Sequence, residues 1–142
     1  MFKHIAGNPK VEWYNRAASQ AFTNGGLAYW NGSGYLIPAD ATSGDHAGII
    51  MKDVLSTDAD YATAAEVPVA FVGPDDILEA DIATGTLTVA MVGNFYDLNS
   101  AGTGVDVTAT SKQVVQIVGF ISTTKAYVKL NANAVYKRVA TT

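Results

Sequence analysis

The sequence predicts an all-β protein: a small β-barrel or sandwich of about ten short strands, with an extended N-terminal arm and at most one short helical turn. Three observations lead there. Short apolar stretches recur at close spacing along the chain. The joints between them carry Asn, Ser, Gly or Thr, which suit tight turns. No segment sustains the 3.6-residue periodicity of a long amphipathic helix.

The first sixteen residues admit two readings. In one, Asn8 caps a helix that starts at Pro9. In the other, an extended arm leads into a strand over residues 11–20. The clustered Trp13 and Tyr14, and the early Gly25-Gly26 pair, favour the arm. Residues 1–20 are therefore expected as an arm and residues 21–142 as a single β-rich domain. Deleting residues 2–14 is expected to leave that domain folded.

From Leu27 the pattern is β. Residues 27–30 and 35–37 flank Asn31-Gly32-Ser33-Gly34, a hairpin turn with two glycines able to take positive φ. Pro38 ends the second strand or places it at an edge. Residues 48–54 read as a buried strand. Residues 66–72 read as another, with Val67, Val69 and Phe71 on one face and Pro68 marking an edge or a bulge. Residues 77–82 alternate, which predicts one wet face. Residues 88–92 fit a single helical turn. Further strands are expected at 96–98, 105–108, 114–121, 126–130 and 135–139.

Composition narrows the function. The 142 residues suit one domain. Hydrophobic residues make up 49% and charged residues only 15%, below the usual quarter. Such a surface is either partly covered by a partner or is a small, Thr-rich β surface. A pI of 4.9 argues against general nucleic-acid binding. The longest apolar run is far short of the roughly 20 residues of a membrane span. The opening MFKHIAGNPK lacks the apolar core of a secretory signal. The absence of Cys excludes disulfides and thiol chemistry and fits synthesis in a cytosol.

Charge is sorted along the chain. Lys3, Lys10 and Arg16 face only Glu12 in the first sixteen residues. Residues 40–106 hold twelve acids and one base, Lys52. Residues 107–142 hold Lys112, Lys125, Lys129, Lys137 and Arg138 and no acid. Complementary acidic and basic faces suit contacts between copies, with Glu79, Asp81, Lys129, Lys137 and Arg138 as candidate interface charges.

Catalytic and metal signatures are weak. His4 and His46, without Cys, make a poor zinc set. Asp58, Asp60, Asp75, Asp76, Glu79 and Asp81 could supply oxygens to Ca²⁺, but no run has the EF-hand spacing. Glu79 and Asp81 are two apart on a strand and share its outer face, rather than facing each other across a cleft. There is no G-x-S-x-G elbow, P-loop or dinucleotide fingerprint. The chain is thus expected to be a non-enzyme with no cofactor and no metal. Trp13, Tyr14, Tyr29, Trp30 and Tyr35 suggest an alternative, an aromatic platform for sugars. Against it, neighbours on a strand point to opposite faces. Trp13 and Tyr14 also suit anchors for a protein partner.

Three stretches carry a family resemblance. The first is Glu12-Trp13-Tyr14 through Ala17-Ala18-Ser19-Gln20-Ala21-Phe22 into Gly26-Leu27-Ala28-Tyr29. The second is Ala47-Gly48-Ile49-Ile50 followed by Glu66-Val67-Pro68-Val69-Ala70-Phe71. The third is Pro74-Asp75-Asp76-Ile77-Leu78-Glu79-Ala80, then Val92-Gly93-Asn94-Phe95-Tyr96-Asp97-Leu98 and Val118-Gly119-Phe120-Ile121. Together they span roughly residues 12–130, and their order resembles the capsid decoration (head-stabilising, cement) proteins of tailed phages.

The resemblance implies a virion structural protein on the outer capsid surface, made in the host cytoplasm. Its partner would be the major capsid protein, and its oligomer commonly a homotrimer. No nucleic acid or membrane partner is implied. In lambda-like members an N-terminal arm adds a strand to a capsid sheet. Its equivalents here are Phe2, Ile5, Val11, Trp13 and Tyr14. The last forty or so residues have no counterpart in the lambda-like pattern, which leaves a tail or head-fibre base protein as a neighbouring role.

Overall fold

The computed structural model describes residues 1–7, 10–42 and 48–131. The expected cap at Asn8-Pro9, His46, the strand at 135–139, and Lys137 and Arg138 lie outside that set.

The described residues are nearly all β. The strands are β1 (Phe2–Ala6), β2 (Lys10–Asn15), β3 (Leu27–Trp30), β4 (Leu36–Pro38), β5 (Gly48–Ile50), β6 (Glu66–Phe71), β7 (Ile77–Thr84), β8 (Phe95–Leu98), β9 (Val105–Asp106), β10 (Val115–Ser122) and β11 (Lys125–Leu130). The one helical element is a 3-10 turn at Val89–Met91, as the sequence predicts. The Asn31–Gly34 hairpin also forms. Gly32 and Gly34 have φ near +90°, and the Asn31 carboxamide accepts the Ser33 amide at 2.8 Å.

Two sheets share the molecule. The first runs β1-β7-β11-β10-β8-β9, and β9 also pairs with β7, so β7-β11-β10-β8-β9 closes into a barrel. The alternation read in β7 explains its place: Leu78, Ala80 and Ile82 point into the barrel, while Ile77, Glu79 and Asp81 face outward. Burying each large aliphatic side chain contributes about 1.5–3 kcal/mol. The second sheet runs β2-β6-β5-β3-β4, and its end strands meet at a parallel bridge between Arg16 and Leu36.

Two hydrophobic clusters follow from this plan. One fills the barrel and the seam between the sheets, with Phe2, Leu27, Ile49, Ala70, Leu78, Ile117 and Val128. The other lies against the second sheet, with Phe22, Leu36, Ile50, Val54, Val67 and Val69.

Residues 1–20 are not an arm separate from the body. β1 pairs antiparallel with β7, and Phe2 is 3% exposed in the first cluster. β2 pairs with β6 over its whole length. The competing force is simple: an alternating apolar segment gains more by completing the chain's own sheets than by staying extended in water.

Pro68 is a second correction. It lies in β6, which has β2 on one side and β5 on the other, so it is neither at an edge nor at a bulge. The alternation of β6 turns its missing N–H toward β5. There the pairing ends at Ile50, and Met51 donates to the Pro68 carbonyl at 3.0 Å. The reciprocal bond of that Pro68–Met51 pair is the one the proline cannot donate, and the loss falls at the end of the β5 pairing. The strand expected over residues 48–54 stops at Ile50, and Val54 makes only an isolated bridge to Phe22.

Candidate interaction surface

β2 presents two unlike faces. Lys10, Glu12 and Tyr14 lie on the side of Val67 and Val69, the core of the second sheet. Tyr14 packs edge-on against Trp30, with ring centroids 5.1 Å apart, and against Phe71 at 5.3 Å. Lys10 and Glu12 cap that side with an ion pair of 2.9 Å. The hydrogen bond and charge of Glu12 hold the Lys10 ammonium above its usual pKa range.

Val11 and Trp13 lie on the opposite face, 53% and 56% exposed. They stand over Ala70 and Pro68 of β6. An apolar groove of about 340 Å³ opens beside Val11, lined by Phe2, Ile49, Met51 and Ala70. Its lining comes from both β1 and β2, which are close in sequence but join different sheets. Met51, 44% exposed, is a member the sequence reading missed. The only signal for it was its position just past the apolar run Ile49-Ile50.

Among the described residues β2 also has one edge that pairs with no other strand. Arg16 donates to Ala65 on the β6 side, and the next residue, Ala17, donates to Leu36 on the other side. By alternation, the amides and carbonyls of Val11, Trp13 and Asn15 point away from β6. A strand edge of this kind can pair with an extended segment of another chain.

The five residues expected to act as one capsid-binding arm are therefore divided. Phe2 is core. Ile5 sits on the outer wall of the barrel beside Ile77, Val118 and Tyr127. Tyr14 turns inward. Only Val11 and Trp13 share an exposed face.

The candidate interface charges are also redistributed. Glu79 and Asp81 share the outer face of β7, as the alternation predicts, and meet a basic neighbour within the chain. Lys125 Nζ lies 3.3 Å from Glu79 and 3.9 Å from Asp81, and the Met1 amino group also contacts Asp81. Lys129, beside Gln116, makes no ion pair among the described residues.

Three of the other acids, Asp58, Asp60 and Asp76, are occupied locally. Asp58 accepts the Leu55 amide at 2.9 Å, Asp60 meets Arg16 at 3.4 Å, and Asp76 accepts the Gly73 amide at 3.0 Å and lies 3.5 Å from His4. The aromatic platform does not assemble. Tyr29 faces the seam between the sheets and Trp30 the second cluster. Trp13 lies on the opposite face of β2 from Tyr14.

The fold and this surface define a two-sheet β protein with an exposed apolar strand. No protein-family model matches the chain, and no curated protein matches it in sequence.

Proposed function

We propose that the chain is a virion structural protein that decorates and stabilises the outer capsid surface of a tailed phage. One observation supports the reading best: Val11 and Trp13 stand exposed on a strand with one edge unpaired among the described residues, beside an apolar groove. Exposed aromatic anchors next to a pocket are the usual centre of a protein interface. The order of stretches that resembles decoration proteins supplies the partner, the major capsid protein.

The mechanism differs from that of a flexible arm. Here the docking strand is already held by β6, so little ordering entropy is lost on binding. A capsid segment pairing with β2 would gain main-chain hydrogen bonds and bury Trp13. Its binding free energy then adds to the stability of the expanded shell. Copies touching one another, with a trimer as the proposed unit, multiply a modest per-site affinity.

The experiment is sedimentation of the protein with expanded, undecorated tailed-phage capsids. Wild type is expected to co-sediment. Trp13→Ala, which removes no core contact, is expected to weaken binding at least about tenfold, a loss typical of an interface anchor. Wild-type levels of decoration by a Val11→Ser/Trp13→Ala protein would rule out this surface.

A further inference from the structure

A second cavity lies at the seam of the two sheets and has a different character. Its volume is about 350 Å³, within the lower range of small-molecule sites. Leu27, Ala39 and Ile50 form its apolar floor. Gln20, Thr23, Tyr29, Asp40 and Ser100 line its walls.

The frame is tied together across the seam. Leu27 donates to the Gly102 carbonyl at 3.0 Å, and Ala39 donates to Leu27 at 2.8 Å. The Asn99 carboxamide accepts the Thr103 amide at 2.9 Å, which fixes the turn that carries Ser100. Thr42 orients the Asp40 carboxylate with its amide at 2.9 Å and its hydroxyl at 2.7 Å. The site is thus built before any ligand arrives.

The wall chemistry selects a ligand class. Among the described residues, no hydrogen bond engages the side chains of Gln20, Thr23, Tyr29 or Ser100. Residues bearing an amide and three hydroxyls, each able to donate and accept, therefore line one cavity. Among the described residues no lysine or arginine lines it, so no cation is placed to hold a phosphate or carboxylate. One carboxylate lines it among the described residues, too few for a hard divalent cation, which takes six or more oxygens. A neutral, hydroxyl-rich ring remains. Its hydroxyls suit the walls, and its C–H face suits the Tyr29 ring.

We propose that this cavity binds one pyranose unit of a saccharide. The proposal does not depend on the capsid reading, since the cavity and the Val11–Trp13 surface share no residue.

Saturation-transfer NMR with glucose, galactose, mannose, N-acetylglucosamine and rhamnose tests it. At least one sugar is expected to bind with Kd of about 1 mM. A Gln20→Ala/Ser100→Ala protein, altered only at exposed side chains, is expected to lose about tenfold in affinity while keeping the wild-type melting temperature. Tyr29→Phe, which keeps the ring, is expected to lose less. Trp13→Ala is expected to bind the sugar normally. No transfer to any of the five sugars at about fifty times that Kd, or binding untouched by the double substitution, overturns the proposal. Capsid decoration by the double variant reports separately on the first reading.

Discussion

Arg16 is the residue on which the second sheet turns. Its side chain is buried, with the residue 1% exposed. Its guanidinium donates to the carbonyls of Asp60 at 2.9 Å, Thr63 at 3.0 Å and Tyr61 at 3.4 Å. Five donors in a rigid fork let it satisfy a loop that makes few ladder bonds. Arg16→Met leaves those acceptors unmatched and is expected to cost about 3 kcal/mol in urea unfolding. Gly102 acts at the seam. Its φ is +67°, and a Cβ there would lie 2.0 Å from the Ala39 carbonyl oxygen. Gly102→Ala is expected to destabilise by at least about 2 kcal/mol, read as a lower thermal midpoint. Asp97, 4% exposed, accepts the amides of Lys112 at 2.7 Å and Gln113 at 2.8 Å, so Asp97→Ala is expected to destabilise by the same measure, by about 1–3 kcal/mol.

Among elements, β1 and β2 changed most in meaning. As an arm, they would be dispensable to the fold. As strands, they finish one sheet each and contribute Phe2 and Tyr14 to two clusters. Deleting residues 2–14 is therefore expected to abolish the cooperative thermal transition and the near-ultraviolet circular dichroism signal. A sharp melt in the truncated protein would show that the strands add little to the body. Trp13→Ala should leave the unfolding midpoint within about 0.5 kcal/mol of wild type, since its side chain faces solvent. These outcomes separate the structural role of β2 from its docking role.

For the whole molecule, folding brings the charge-sorted segments together. Lys125 of the basic end lies over Glu79 and Asp81 of the acidic middle, so part of the complementarity is spent within one subunit. Pairs this exposed contribute little to stability, on the order of 0–1 kcal/mol. Their consequence lies in assembly: fewer unpaired acids remain for a neighbouring copy. Light scattering behind size-exclusion chromatography is expected to give a trimer whose mass changes little between low and high salt. A species of 14.9 kDa at both salts would remove the trimer in solution, and dissociation by salt would restore charge as the main contact.

The all-β class, the Asn31–Gly34 hairpin, the inward and outward sides of β7 and the helical turn near Val89 were legible in the sequence. Each rests on local physics: alternation with a period of two, glycines able to take positive φ, and the lack of a long helical period. The partnership of strands was not legible. Nothing within residues 1–16 says that β1 joins β7 while β2 joins β6, because those choices depend on partners more than fifty residues away. The burial of Arg16, the central place of Pro68 and the exposure of Val11 beside Met51 follow from the same long-range pairing. So does the candidate surface, since only closure of two sheets decides which face of β2 is covered and which meets solvent.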